Sequence, residues 1–314
     1  MSNHELLDPK ALHRRAPTHD ADASPNAQET RYRLHRRFDR LGRLYGDGAV
    51  ERLMATKVVV FGLGGVGSFA AEALARSAVG HLMLVDFDDV CVTNVNRQLQ
   101  ALRGNIGKGK AEVLGERLQA INPQADVRTL RDFYKADNAD AMLAAPWGGG
   151  YDFVVDCIDN MTAKAHLLAT CRERGIRVVA SMGAAGRRDP TRLRVADLNA
   201  TTGCPMAKDL RKILRRAHGF PEGEPVGIRA VYSVEPRSWP RELTYDGGEG
   251  FKCVCPHKSD EHSCDSRNLI DGTASFVTGS FGLMLASVVV NTLVGDLASG
   301  AAPGPDRQGF RRDG

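Results

Sequence analysis

Short apolar runs alternate with helical hydrophobic patterns through most of the chain. Strand-like runs lie at 58–61, 81–85, 126–130, 153–155, 176–180 and 228–234, and helical patterns lie at 68–78, 110–121, 162–174 and 206–217. Short apolar runs are typical of strands buried on both faces, whereas apolar positions repeating at the helical period are typical of packed helices. The alternation predicts an α/β protein with a doubly wound, Rossmann-like parallel sheet, extended towards the C-terminus by antiparallel strands and helices.

The first apolar run leads into a glycine-rich turn, G-L-G-G-V-G at 62–67, which opens a helical pattern. Gly62 permits a tight turn, Gly64 lets a phosphate approach the backbone, and Gly67 lets the helix pack close to the strand. Asp86 ends the next apolar run, where a carboxylate can hydrogen-bond a ribose hydroxyl. The alternative is a glycine turn that binds no ligand. The residues predicted to bind nucleotide are Gly62, Gly64, Gly65, Gly67 and Asp86, joined farther along the chain by Asn94, Arg97, Gln98 and Lys110.

A polar segment after the second strand-like run separates this chain from a nicotinamide dehydrogenase. It contains Asn94, Arg97 and Gln98, and Lys110 then opens the next helical pattern. Arg97 offers a planar fork of donors and Asn94 offers an amide, both of which suit phosphate oxygens. A dehydrogenase has no need of these groups. The segment therefore favours an enzyme that handles a nucleoside triphosphate.

Two carboxylates follow the fourth strand-like run, at Asp156 and Asp159. Side chains at the carboxyl end of a parallel strand lie over the crevice where open α/β sheets bind ligands. Asp159 is farther from the strand and is the predicted magnesium ligand, because magnesium is typically held by one or two carboxylates together with substrate phosphates. Asp156 is interpreted as a helix cap or loop anchor.

The window 187–218 is strongly basic. It holds nine Arg or Lys against three Asp, a net charge of +6, whereas the whole chain carries +4. A basic surface binds an RNA backbone through Coulombic attraction and counterion release. The alternative is a solvated helix face without a partner. The RNA-binding candidates are Arg211, Lys212, Arg215 and Arg216.

A later stretch is rich in cysteine and histidine. It contains Cys253, Cys255, His257, His262 and Cys264, residue types that ligate zinc. The spacings are not those of a zinc ribbon or finger, and the sequence contains no C-x-x-C. A mobile substrate-side loop with free thiols is therefore favoured over a structural zinc site.

Composition favours a cytoplasmic protein. Seven cysteines, an odd number, are scattered through a sequence that starts without a charged-then-apolar leader.

Residues 1–30 and 298–314 lack apolar periodicity and are expected to be disordered. The uncharged run 275–294 is long enough to span a bilayer, but its polar residues favour a buried core helix; interfacial membrane association is the alternative. A basic helix is expected over 31–55.

Together, these motifs resemble the ThiF/MoeB/HesA adenylating group, relatives of the ubiquitin-activating enzymes. The matching set comprises the glycines at 62–67, Asp86, Asn94, Arg97, Gln98, Lys110, Asp156, Asp159 and Asn160. Further matching text at 43–46, 72–76, 88–94, 101–103 and 231–233 is closer to the tRNA threonylcarbamoyladenosine dehydratases, also called TcdA or CsdL. The resemblance makes 31–297 one adenylation domain, in which 187–265 forms a basic helix and a mobile loop.

The resemblance implies roles for residues already singled out. Asp86 would bind the ribose of ATP, Asn94, Arg97 and Lys110 would hold the phosphates, and Asp159 would hold Mg²⁺. Arg97, Lys110 and Asp159 are thus the catalytic candidates. The implied reaction is ATP-dependent cyclisation of threonylcarbamoyladenosine in tRNA, through an acyl adenylate, with net loss of one water.

The resemblance also implies partners and a rival function. A homodimer is expected, and a sulfur-transfer protein is a candidate partner. Carrier-activating members often hold a cysteine in the late loop, and Cys264 lies in that region. The rival is an adenylyltransferase for the C-terminal glycine of a ubiquitin-like sulfur carrier, although this chain lacks the paired C-x-x-C motif of those members. A nucleotide-dependent scaffold without turnover is a third alternative.

Overall fold

A seven-stranded sheet organises the part of the chain that the computed structural model describes, residues 36–244 and 271–298. Its strands are β1 (Lys57–Phe61), β2 (His81–Val85), β3 (Asp126–Leu130), β4 (Phe153–Asp156), β5 (Val178–Ser181), β6 (Leu193–Asp197) and β7 (Arg229–Ser233). Their spatial order is β3-β2-β1-β4-β5-β7-β6. All neighbouring pairs are parallel except β6 and β7, which are antiparallel.

The order of the strands places a ligand crevice beside β1. From β1 the chain proceeds outward to β2 and β3, and it then returns to place β4 on the other side of β1. Such a reversal opens a crevice at the carboxyl ends of the two central strands. Strands β4 and β5 are buried at every position, as expected for strands covered on both faces.

The helices cover both faces of the sheet. They are α1 (Asp39–Tyr45), α2 (Asp47–Ala55), α3 (Gly67–Arg76), α4 (Lys110–Ile121), α5 (Ala139–Leu143), α6 (Met161–Glu173), α7 (Pro205–His218) and α8 (Ser275–Ala298). All of them lie in the unit that begins at Phe38. Two apolar clusters fill the space between helices and sheet, one built around α3 and α8 and the other around α6 and α7.

Helix α8 is a core helix, as the polar residues in its sequence predicted. It is long and apolar enough to cross a membrane, yet 61% of its most apolar window is buried against the rest of the protein. It packs on α3 at Gly282, where an added Cβ would lie 2.4 Å from the carbonyl oxygen of Val66. This close approach explains why a glycine stands in the middle of an otherwise apolar helix.

The structure corrects two local predictions. Within 31–55 the described residues form two helices rather than one, because Gly46 between them has a φ of +86°, in a region that favours glycine. Strand β6 was not predicted, since its sequence Leu-Arg-Val-Ala-Asp lies inside the basic window. The prediction that 1–30 is disordered lies outside the described residues, as does all but the first residue of the predicted tail 298–314.

Candidate functional site

The glycine turn lies between β1 and α3, at the crevice. Gly62 has a φ of +83°, and a Cβ there would lie 2.7 Å from the carbonyl oxygen of Cys157. A Cβ at Gly67 would lie 1.8 Å from the carbonyl oxygen of Gly62. Neither position has room for a side chain, so both glycines are required by the fold of the turn. The predicted tight turn and close helix packing are confirmed.

The two middle glycines differ in their surroundings. A Cβ at Gly64 would meet only the Nε2 atom of Gln98, at 3.8 Å, so the backbone here is open to a ligand. A Cβ at Gly65 would lie 3.1 Å from both the Cγ of Arg97 and the Oγ1 of Thr278. Helix α8 therefore packs against the turn through Thr278, a contact that the sequence did not indicate.

Asp86 connects the end of β2 to the glycine turn. Its Oδ2 accepts the N–H of Leu63 at 2.6 Å, and its Oδ1 accepts the N–H of Asp88 at 2.9 Å. Asp86 thus lies at the predicted edge of the sheet, and both oxygens of its carboxylate accept backbone hydrogen bonds that hold the turn. Its role towards a ribose stays a prediction.

Three carboxylates surround one lysine at this edge. The Nζ of Lys110 lies 2.7 Å from the Oδ2 of Asp88 and also feels the charges of Asp86 and Asp159. Burial acts to lower the pKa of Lys110, but these carboxylates outweigh it and hold the pKa above its ordinary value. Burial has the opposite effect on a carboxyl group and raises the pKa of Asp86. The charge of Lys110 offsets only part of this rise. The surplus of negative charge can accept a cation.

The segment after β2 folds over the glycine turn. The side-chain oxygen of Asn94 accepts the N–H of Cys91 at 3.0 Å, and Gln98 is buried. The Nη1 of Arg97 donates to the carbonyl of Thr93 and to the side chain of Asn96, both at 2.9 Å. Arg97 therefore lies beside the turn, as predicted, while its contact with phosphate stays a prediction.

Sequence reasoning missed a glutamine in this segment. Gln100 is 1% exposed, and its Nε2 donates to the carbonyl oxygen of Leu63 at 2.6 Å. It joins the segment to the glycine turn through the carbonyl of Leu63, whose N–H is bonded to Asp86. Only the buried position of this polar side chain reveals the contact.

The end of β4 is anchored by a buried ion pair. The Oδ2 of Asp156 lies 2.5 Å from the Nζ of Lys164, and both side chains are completely buried. The other oxygen of Asp156 accepts the N–H of Ile158 at 3.0 Å. Asp156 is thus a loop anchor, as interpreted from the sequence, but its partner Lys164 was not predicted. The loop leads to Asp159, which is exposed beside the cluster around Lys110.

Cys157 is the cysteine of the described residues that lies against the glycine turn. Its Cβ lies 3.3 Å from the position that a Cβ on Gly67 would take. Burial raises the pKa of its thiol, so the thiol stays protonated and is a poor nucleophile. The predicted Cys264 lies outside the described residues, as do Cys253, Cys255, His257 and His262. Among residues 36–244 and 271–298, no group of three or more His, Cys, Asp or Glu side chains suits a metal ion.

The basic helix is α7, but its cations differ in role. Arg211 donates to the carbonyl oxygens of Leu198 and Thr201, at 3.2 and 3.1 Å, and Arg215 pairs with Glu222. These two predicted RNA contacts are engaged within the chain. The exposed cations are spaced four residues apart on one face, and we call them the α7 ridge: Lys208, Lys212 and Arg216. Lys212 and Arg216 were predicted, and Lys208 was not.

A second arginine of interest lies in the segment between β5 and β6. Arg187 is only 4% exposed, and in the described part of the chain its Nε and Nη1 have no hydrogen-bond partner. A buried charge without a partner is costly, so such a group marks a place where an anion is expected. Arg187 was counted in the basic window but was not predicted as a binding residue.

Known proteins resemble this chain along most of its length. The ThiF family profile matches residues 38–307. The tRNA threonylcarbamoyladenosine dehydratase of Haemophilus influenzae is 39% identical over 260 residues, covering 82% of this chain and 93% of that protein. The crystal structure of E. coli TcdA in complex with ATP has a TM-score of 0.71 and 36% identity, covering 85% of this chain and 97% of that one. The molybdopterin-synthase adenylyltransferase of H. influenzae is 31% identical over 53% of this chain and 64% of its own length.

Proposed function

The chain belongs to the ThiF family, and we propose that it is an ATP-dependent tRNA threonylcarbamoyladenosine dehydratase. The observation that carries the proposal is the convergence of the glycine turn, Lys110 and Asp159 at one edge of the sheet. The chain matches an enzyme of this name over 82% of its own length and 93% of that enzyme. One such enzyme is known in complex with ATP. ATP is accordingly the proposed nucleotide.

The proposed reaction has two steps. An oxygen of the threonyl carboxylate attacks the α-phosphorus of ATP, and pyrophosphate leaves, which gives an acyl adenylate. The carbamoyl group of the same nucleoside then attacks the activated acyl carbon, and AMP leaves as a ring closes. The nucleoside loses the elements of one water, which are found in AMP and pyrophosphate.

The residues at the edge suit this chemistry. Negative charge develops on the phosphates as pyrophosphate leaves, and Lys110 and Arg97 offset it. The raised pKa of Lys110 keeps its amine protonated at neutral pH. Because ring closure occurs within one nucleoside, no enzyme thioester is needed, and this fits a Cys157 thiol whose pKa burial has raised.

We also propose that Mg²⁺ binds at this edge. Magnesium needs only one or two carboxylates together with substrate phosphates, and Asp159 supplies one exposed carboxylate near Lys110. Asp159 is the proposed direct ligand because it is exposed and follows the carboxyl end of β4, whereas Asp86 is bonded to the turn. Bound Mg²⁺ would neutralise phosphate charge.

A homodimer is the proposed assembly. Helix α8 leaves Phe276 and Leu283 exposed, at 59% and 53%, and self-association would remove them from water. Light scattering after gel filtration should give twice the chain mass, and Leu283→Asp should shift it towards the monomer. A sulfur-transfer partner, a cytoplasmic location and peripheral membrane association stay predictions.

The decisive experiment is mass spectrometry of nucleosides from tRNA that carries threonylcarbamoyladenosine, incubated with the protein, ATP and Mg²⁺. The proposal expects a product lighter by one water, formed only with ATP. At the Mg²⁺ concentration that saturates the parent protein, Asp159→Asn should form far less of this product, while Glu116→Gln, which neutralises an exposed carboxylate on α4, should form as much as the parent. Parallel titration with Mg²⁺ should show that the Asp159 variant needs more metal.

The rival carrier-protein function gives a different result. It expects an unchanged nucleoside, together with exchange of pyrophosphate into ATP only when a small protein with a C-terminal Gly-Gly is present. A protein that binds ATP but supports neither reaction would be a scaffold. Either outcome would overturn the dehydratase proposal.

A further inference from the structure

The most exposed large apolar side chain in the described part of the chain is a tryptophan. Trp239 is 72% exposed, and it lies in the segment that follows β7. Exposed tryptophans are costly to leave in water and are frequently found at binding surfaces. The adenylation chemistry described above does not use this ring.

The ring is held in place rather than loosely attached. The guanidinium carbon of Arg237 lies 4.9 Å from the centroid of the Trp239 ring, and Arg237 also pairs with Asp271. The N–H of Ser238 donates to the carbonyl oxygen of Gly186 at 2.8 Å. Gly186 has no room for a side chain, because a Cβ there would lie 2.7 Å from the Cγ of Arg237. A ring fixed in this way loses little entropy when it binds a ligand.

The segment belongs to the same edge of the sheet as the glycine turn. The N–H of Gly186 donates to the carbonyl oxygen of Gly272 at 2.9 Å. The next carbonyl, that of Thr273, accepts from the side chain of Asn96 at 3.0 Å. Asn96 in turn accepts from Arg97. A continuous chain of contacts therefore runs from the tryptophan to the arginine beside the glycine turn.

A buried arginine follows Gly186, the glycine that is hydrogen-bonded to the tryptophan segment. Arg187 follows Gly186 and is the buried arginine whose Nε and Nη1 lack partners among the described residues. Residues 187–194 carry four Arg against one Asp, a net charge of +3. A ligand for this surface should offer both a flat π face and an anionic oxygen. Nucleotides of an unpaired RNA loop carry both.

We propose that Trp239 is the stacking platform for an unpaired base of the RNA substrate and that Arg187 binds a phosphate of the same loop. This inference rests on the proposed function, because it takes RNA as the substrate. Arg237 supports the covered face of the ring, and the base stacks on the open face. The interaction is independent of base identity, since every base has a π face.

The chain contains only two tryptophans, which permits a direct optical test. Trp147 is engaged inside the fold, donating to Asp126 at 2.6 Å, so Trp147→Phe leaves Trp239 as the only indole. Titration of this variant with unmodified tRNA should quench the fluorescence of Trp239 with the same midpoint as binding measured by filter retention. Binding without a change in fluorescence would overturn the proposal.

Affinity measurements on variants separate stacking from charge. Trp239→Ala should weaken tRNA binding by about 5- to 150-fold without changing its salt dependence, and Trp239→Phe should restore most of the affinity. Arg187→Gln should weaken binding and reduce the slope of log K against log salt by about 0.7 to 0.9. Leu44→Ala, which removes an apolar side chain on α1 that is 69% exposed, is the matched control.

The outcomes distinguish this inference from the proposed function. Equal tRNA affinity for Trp239→Ala and the parent protein overturns the platform, even if the dehydratase reaction is observed. Arg187→Gln should leave the melting temperature unchanged or higher, because it removes a buried guanidinium whose Nε and Nη1 have no partner among the described residues. A fall in melting temperature with unchanged tRNA affinity would make Arg187 purely structural. Absence of tRNA binding by the parent protein would count against the proposed function as well.

Discussion

The buried pair of Asp156 and Lys164 makes a strong prediction about stability. Neither side chain is exposed, and the two charged atoms lie 2.5 Å apart. Burial raises the pKa of Asp156, and the charge of Lys164 opposes that rise. Removal of the lysine charge leaves a carboxylate in an apolar environment without compensation. Breaking a buried pair in this way typically costs about 3 to 5 kcal/mol.

Lys164→Met should also make stability depend on pH. Without its counter-charge, Asp156 has a folded-state pKa raised still further above the unfolded value of about 3.9. The unfolded state then releases its proton first, so the free energy of unfolding falls as pH rises, by about 1.4 kcal/mol per pH unit. A penalty of about 3 to 5 kcal/mol corresponds to roughly two to four pH units over which the loss accumulates.

The assay is urea unfolding followed by circular dichroism at several pH values between 5 and 8. The parent protein and Lys164→Met should differ least at pH 5 and most at pH 8. The double variant Asp156→Asn with Lys164→Met should recover much of the stability and lose the pH dependence, since no buried charge remains. Arg43→Met, which breaks an exposed pair with Asp39, should leave the urea midpoint unchanged.

Two results would refute this reasoning. One is a Lys164→Met protein as stable as the parent at pH 8, which would mean that the carboxylate is solvated or otherwise paired. The other is a stability loss of the same size at every pH, which would indicate a packing defect and no titration of Asp156. Because Asp156 also anchors the loop leading to Asp159, ATP affinity should fall along with stability.

Three further predictions concern the site and its partners. Arg97→Ala should retain the fold but lower adenylation by about 10²- to 10³-fold, measured as AMP release with modified tRNA; near-normal turnover removes Arg97 from the mechanism. Gly67→Ala should destabilise the protein by more than Gly64→Ala, because only the first has a carbonyl oxygen 1.8 Å from the new Cβ, and equal melting temperatures contradict this. Replacing any one cation of the α7 ridge with Ala should reduce the slope of log K against log salt for tRNA binding by about 0.7 to 0.9. Arg211→Ala should mainly lower stability, because Arg211 is bonded within the chain. An unchanged slope for the ridge variants excludes the ridge from the RNA interface.

The parts of the site that the sequence predicted all depend on the order of neighbouring strands, turns and helices along the chain. A strand, a glycine turn and a helix are contiguous in the chain, so the roles of Gly62 and Gly67 follow from their positions in one motif. Asp86 and Asp159 could be assigned to the same edge because the carboxyl ends of parallel strands meet there. These inferences needed the strand direction but no knowledge of distant contacts.

The missed features depend on how side chains pack in three dimensions, which no local sequence pattern indicates. Thr278 supports Gly65 from more than two hundred positions away, and no local pattern indicates that pairing. Lys164 lies at an ordinary helical position, and only its complete burial shows that it neutralises Asp156. Arg211 and the α7 ridge have similar sequence surroundings, and only the packing of α7 distinguishes a bonded arginine from an exposed one.

The charges of the described residues form two regions of opposite sign. Around the ends of β1, β2 and β4, carboxylates outnumber the single lysine at 110. Beside β5 and on α7, Arg187 and the α7 ridge supply positive charge. In the proposed complex the RNA backbone binds the second region, where its phosphates meet arginine and lysine side chains. The proposed stacking on Trp239 would hold a nucleotide loop beside Arg187, because Ser238 is bonded to Gly186, and only the activated part of the modified base needs to enter the acidic edge.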